Sequence, residues 1–161
     1  MLQPEQPGAA PAERAQVVEL LDEFQAAERA GAAAISRWAA VCANPRLRAG
    51  LRVIEVRDRG HAAVAEARLR ALGGEPSADV NRPLATLCAL IADPRVPDRS
   101  KLSMLLSRFP AEVEDTLRDF ARRIESDAET RALLEAIGDD ERASIRWLHE
   151  MRESLERDAA S

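Results

Sequence analysis

Apolar residues recur at alternating three- and four-residue steps through four long stretches of this chain. That spacing belongs to helices packed along a common seam. The first stripe runs Val17, Leu21, Phe24, Glu28, Gly31, Ile35, Trp38 and Cys42. The second runs Leu47, Leu51, Ile54, Asp58, His61, Ala65, Arg68 and Leu72, with Leu69 in place of Arg68 if the phase drifts. The third runs Leu102, Leu106, Phe109, Val113, Thr116, Phe120 and Ile124, with Leu117 near the seam. The fourth runs Thr130, Leu134, Ile137, Glu141, Ser144, Leu148, Met151 and Leu155.

Prolines, glycines and capping residues set the ends of these elements. Pro11 suits a first helical turn, so the first long helix is predicted from there to about Ala43. Asn44-Pro45 supplies a cap and a first-turn proline for the second, which stops at Gly73-Gly74. "GEPSADVNRP" reads as a loop, and "LATLCALIA", Leu84 to Ala92, as a short apolar helix in the crossover. After the break at "DPRVPD", the third long helix is predicted from about Ser100 to Ile124, kinked at Pro110 by the missing backbone donor. "SDAE", Ser126 to Glu129, matches a capping box for the fourth, which runs to about Arg157. Two helical hairpins joined by a longer crossover form an antiparallel four-helix bundle with a short extra helix between the second and third helices. Residues 1–11 are expected to be a disordered lead, 12–157 one four-helix-bundle domain and 158–161 a frayed C-terminus.

The stripes are not wholly apolar. Glu28, Asp58, His61, Glu141 and Ser144 fall mid-helix, at a similar height in an antiparallel bundle. A lone buried carboxylate costs several kcal/mol unless it is neutralised or paired. Several at one level need a cation or mutual ion pairs. His61 follows Asp58 by three residues, so the two share a face, as two ligands from one helix must to hold one metal. The alternatives are structural: Glu28 paired with Arg57 or another arginine, and His61 as a satisfied core histidine.

Composition supports the helical class and narrows the function. Of 161 residues only 3% are aromatic and none is Tyr, so the core must come mainly from Leu, Ile, Val and Ala. The abundant Ala, Leu, Arg and Glu are strong helix formers, which gives an all-α class. A net charge of -5 with mixed signs throughout argues against nucleic acid or an anionic membrane as partner. No run approaches the roughly 20 apolar residues of a membrane span. Cys42 and Cys88 show no metal-type spacing, so a reduced, cytoplasmic setting is expected. There is no phosphate loop, no dinucleotide fingerprint and no base-and-orienter set for Ser36 or Ser144 as nucleophile. "RLRALGG" and "RDFARR" read as solvated basic faces, Asp139-Asp140-Glu141 as an ordinary acidic surface run with a metal role for Asp139 or Asp140 as the minor alternative, and Trp38 and Trp147 as core-edge or interface aromatics.

Glu28 in "AAERAG", "DRGH" at Asp58 to His61 and "ERAS" at Glu141 to Ser144 together resemble the ferritin-like superfamily of carboxylate-bridged di-metal bundles, the rubrerythrins and bacterioferritins among them. There, two helices each give a Glu and the other two each give Glu-x-x-His. The resemblance extends from about Ala12 to Arg157 and implies two equivalent hairpins. Sliding Asp58 onto Glu141 pairs Leu51 with Leu134, Ile54 with Ile137, Ala65 with Leu148 and Leu72 with Leu155; sliding Phe24 onto Phe109 pairs Val17 with Leu102, Leu21 with Leu106 and Ile35 with Phe120. By this comparison two ligands are lost: Val113 stands where the third helix should carry Glu, and Ser144 where the second His should be. Asp58 shortens one bridging Glu, and Glu112 is an additional ligand if the Pro110 kink turns it inward.

The resemblance implies a degenerate centre in which Glu28, Asp58, His61 and Glu141 hold one Fe, Mn or Zn ion, with a redox or metal-handling role in a cytoplasmic protein of bacterial type. Two other classes stay open: a metal-free bundle that associates with itself as a homodimer or with a protein partner, and a small-molecule-binding bundle. In the last, Gly31-Ala32-Ala33-Ala34 leaves space beside the polar centre.

Overall fold

A computed structural model describes residues 11–109 and 116–159. Among these residues there are six α-helices and no strand: α1 (Pro11–Val41), α2 (Pro45–Ala71), α3 (Arg82–Ala92), α4 (Asp98–Arg108), α5 (Thr116–Arg123) and α6 (Ala128–Ala159). The expected all-α class is therefore observed. Pro110, Glu112 and Val113 lie outside the described residues, as do residues 1–10 of the expected lead.

The local signals explain most of the boundaries. Asn44 caps α2: its side-chain oxygen accepts from the Leu47 N–H at 2.9 Å, and Pro45 follows where no donor is needed. Asn81 does the same for α3 through Leu84 N–H, so α3 begins at Arg82, slightly ahead of the expected Leu84. Beyond α2, Gly73 takes φ 79, a left-handed conformation that a residue with a Cβ adopts only at a cost.

Two expectations about elements are corrected. The third long helix is not described as one element from Ser100 to Ile124. It comprises α4, which ends at Arg108, and α5, which starts at Thr116. Phe109 leaves the helical region, with φ -129 and ψ 64. The following proline disfavours helical backbone at this residue. The capping-box reading also misplaces the cap of α6. Asp127, not Ser126, accepts the Thr130 N–H and hydroxyl. Ser126 instead donates its N–H and hydroxyl to Glu13, which joins the start of α6 to the start of α1.

α1 and α2 pack antiparallel along their length. Arg14 donates to the Leu72 carbonyl near one end at 2.7 Å, and Arg29 pairs with Glu66 further along. α6 runs antiparallel to α2, with Arg57 on Asp140 and Arg68 on Asp127. It also runs antiparallel to α4, where Arg99 donates to the Leu155 carbonyl and His149 meets the Phe109 carbonyl. α3 packs on α1 and α4. No helix among the described residues is long and apolar enough to cross a membrane.

Burial follows the stripes closely in α1, α2 and α6. Leu69, rather than Arg68, takes the buried position on α2, as phase drift requires. Arg68 is not part of a solvated face: its guanidinium donates to Thr130, Glu129 and Asp127 on and before α6. Phe109 is 44% exposed and Thr116 is exposed, so neither occupies the core expected of the third stripe. Gln25, absent from the stripe, is fully buried. Its amide donates to the Ser77 carbonyl at 2.6 Å, and neighbouring Asp22 accepts from the Ser77 N–H at 2.7 Å, which fastens the loop after α2 to α1. Trp38 is a true core residue with no exposed surface. Its indole N–H donates to Asp98, and its ring faces the buried Lys101 ammonium at 5.7 Å. Trp147 packs so closely over Gly50 that a Cβ there would lie 1.9 Å from the ring.

The apolar core has two parts. One gathers Trp38, Leu47, Leu51, Leu102, Leu148 and Met151; the other gathers Val17, Leu21, Leu69, Ile124 and Leu134. In each of α1, α2 and α6 the polar residues at 28, 58, 61 and 141 fall between positions belonging to these two parts. The candidate site is thus a polar layer between two apolar ones.

Candidate metal centre

Three helices supply the site: α1 gives Glu28, α2 gives Asp58 and His61, and α6 gives Glu141. One potential ligand atom from each lies within 4.8 Å of every other. Ligand atoms held about 2.0–2.2 Å from a single ion stand at most about 4.4 Å apart, so the spread is close to what one ion requires. Asp58 and His61 are buried, and the Glu28 and Glu141 side chains are 15% and 28% exposed.

The charges here do not balance. His61 Nδ1 lies 2.9 Å from a Glu141 oxygen and 3.5 Å from Glu28 Oε2. The second distance is too long for a good hydrogen bond, and Glu28 Oε2 is a buried acceptor with no hydrogen-bond partner. One imidazole therefore faces three carboxylates. Arg57 does not make up the difference. The expected alternative, a Glu28–Arg57 pair, is not what forms: Arg57 donates to Asp140 at 2.8 Å and to the Ser144 hydroxyl at 3.0 Å. Ser144, the position read as a lost His, is buried and serves as that acceptor.

Proton affinities follow from this imbalance. Burial, reinforced by the Glu28 and Glu141 charges, pushes the Asp58 carboxyl up to about 8. Burial also raises Glu28, with Glu141 adding and His61 opposing. The Glu141 carboxylate, then Glu28, raises His61 to about 10 against the opposing effect of burial. In the protein alone, protons supply the positive charge the cluster lacks. A divalent ion would supply it better and release them.

Asp140, expected chiefly as part of a surface run and only secondarily near a metal, lies beside His61 and Arg57. Its Oδ2 lies 3.4 Å from His61 Nε2, on the ring edge away from Glu141, while its Oδ1 accepts from Arg57. His61, with Arg57 assisting, holds the Asp140 carboxyl below its ordinary value. A carboxylate on the distal nitrogen of a ligand histidine orients the ring and raises its basicity. A sequence signal existed: Asp140 and Ser144 are four residues apart and so share one face of α6, toward α2.

A cavity of about 390 Å³ opens beside the cluster, and Glu28, Asp58 and Glu141 contribute to its wall. Most of the remaining wall is apolar, including Phe24, Ile35, Ile54, Leu87, Ile91 and Leu148. Glu112 and Val113 lie outside the described residues, so the site rests on the other four.

Comparison with family models, curated proteins and solved structures returned no match. The functional reading therefore stands on the residues themselves.

Proposed function

We propose that this protein is a ferritin-like four-helix bundle whose degenerate centre holds one metal ion, Fe, Mn or Zn, between Glu28, Asp58, His61 and Glu141. The observation that carries the reading is the convergence of three carboxylates and one imidazole from three helices, with Glu28 Oε2 buried and unpartnered. Burying a carboxylate oxygen without a hydrogen bond costs free energy that a bound cation would offset. Three oxygen donors and one imidazole nitrogen suit Fe, Mn or Zn. Asp140 is the residue that orients His61. Held by these four side chains as single donors, a six-coordinate Fe or Mn ion would retain room for an exogenous donor and would supply oxygen or peroxide chemistry. A metal-handling or redox role in the cytoplasm is the reading this supports.

Elemental analysis of protein purified aerobically and anaerobically tests it. About one Fe, Mn or Zn per chain is expected, absent from His61→Ala. Metal-free protein that refuses all three ions in dialysis against each would sink the proposal.

A second reading is favoured by the cavity: the bundle binds a small apolar molecule beside the carboxylates, with or without an ion. A volume of about 390 Å³ lies within the range of small-molecule sites.

A further inference from the structure

The cavity and the cluster meet at one wall, and the two have opposite demands. The cavity needs hydrocarbon. Its apolar lining comes from all six described helices, among them Ile35, Ile54, Leu87, Leu105, Leu117 and Leu148. The wall shared with the cluster needs donors. Glu28 and Asp58 contribute acceptors to it, and Glu28 Oε2, buried behind the wall 3.5 Å from His61 Nδ1, makes no hydrogen bond. The nearby cations are already committed. His61 is engaged by Glu141 and Asp140, Arg57 by Asp140 and Ser144, and the guanidinium of Arg142, which contributes to the wall, pairs with Asp139.

We infer that this cavity binds a primary amine on a hydrocarbon body, its ammonium seated on Glu28 and Asp58 and its apolar chain lying among the α3, α4 and α6 side chains. An ammonium offers three donors and one positive charge, which is what the acceptor wall lacks. An alcohol of the same length offers one donor and no charge. A fatty acid brings a fourth carboxylate to three others and is rejected by like-charge repulsion. The inference uses the same carboxylates as the proposed metal but does not require the ion. Ion and ammonium compete for Glu28 and Asp58.

Gly31 separates the two proposals experimentally. It lines the cavity on α1, and a Cβ built on it meets nothing within 4 Å. Gly31→Leu therefore fills cavity space without replacing a cluster residue, and leucine is a better helix former than glycine.

The test is calorimetric titration of the metal-free, full-length protein with 1-octylamine, 1-octanol and octanoate, each as free monomer. One octylamine per chain is expected, binding about ten- to a hundredfold more tightly than octanol, the ratio of a charge-assisted to a neutral hydrogen bond. Octanoate is expected to bind more weakly than octanol. Gly31→Leu should weaken octylamine about tenfold or more while Zn²⁺ and Mn²⁺ uptake stays at the wild-type level. Glu28→Gln with Asp58→Asn should erase the preference for amine over alcohol while octanol still binds. Zn²⁺ added first should displace octylamine. Equal affinity for octylamine and octanol, or octylamine binding unaffected by Gly31→Leu, overturns the inference. Amine binding to a protein that takes up no metal leaves this inference standing and removes only the metal proposal. Metal uptake without amine binding does the reverse.

Discussion

Two polar assemblies join α2 to α6, and they are built in opposite ways. Near the start of α6, Arg68 sends three donors to three different acceptors: Thr130 at 2.9 Å, Glu129 at 2.6 Å and Asp127 at 2.7 Å. Burial works against the Asp127 charge, yet the Thr130 donors and the Arg68 guanidinium hold its carboxyl below the ordinary value. In that network each oxygen of the Asp127 carboxylate has a donor within the chain. Further along the same two helices, three carboxylates share one imidazole, and Glu28 Oε2 has no hydrogen bond. Here burial pushes the Asp58 and Glu28 carboxyls upward instead, Asp58 to about 8. Both are polar groups on an apolar seam. Burial alone does not separate a structural network from a binding site; the crowding of carboxylates around too few donors does.

The comparison breaks most sharply on metal content. His61→Ala is expected to reduce bound metal from about one ion per chain to none, with the far-UV circular dichroism of a folded helical protein retained. Arg68→Ala should leave metal content unchanged and destabilise the fold by about 3 kcal/mol, because it strands the carboxylate of Asp127 in a half-buried setting. Chemical denaturation reads that loss. If Arg68→Ala costs nothing while His61→Ala unfolds the metal-free chain, the roles assigned to the two assemblies are reversed.

Smaller effects sharpen the contrast. Asp140→Asn removes no proposed ligand and should weaken metal binding about 10- to 100-fold by releasing the His61 ring. Competition with a chelating dye measures it. Solution pH should then distinguish the metal-free protein from the loaded one. Asp58 keeps its proton in the folded state from its ordinary value of 3.8 up to about 8, and His61 keeps its own from 6.5 up to about 10. In both windows the folded state binds more protons than the unfolded chain, so stability falls as pH rises. Between about pH 6 and about pH 9 the metal-free protein should lose stability steadily, whereas an ion that has already displaced these protons should flatten the curve. Denaturant midpoints across that range, with and without Zn²⁺, check both slopes. The smallest expected change is Glu28→Gln in the metal-free protein. It removes a carboxyl that burial penalises and that has only a long contact to the shared His61 ring, so it should be neutral or stabilising by up to about 1 kcal/mol in the same denaturation assay.

Much of the fold was legible because its signals are local. Asn44-Pro45, Gly73 and the three- and four-residue steps of α1, α2 and α6 act over one or two helical turns, and the structure follows them. The misreadings share a cause. Ser126 looked like a cap until Glu13, distant in sequence, took its donors. Trp38 looked like an edge aromatic until Asp98 and Lys101 closed over it. Gln25 had no place on a stripe because its partner is the Ser77 backbone beyond the end of α2.

The same division runs through the site. Sequence spacing alone determined that Glu28, Asp58, His61 and Glu141 lie on seam faces, since helical periodicity decides which residues share a face. Only tertiary structure decided how the charges pair. Arg57 precedes Asp58 in the chain, but it reaches across to Asp140 and Ser144 and leaves Glu28 only the shared His61 ring, 3.5 Å away. Pairing depends on side-chain reach between helices, and periodicity within one helix carries no information about that distance. The cavity is decided the same way. The space beside Gly31 arises only where side chains from the six described helices fail to meet, a property of their packing that no single stretch of sequence encodes.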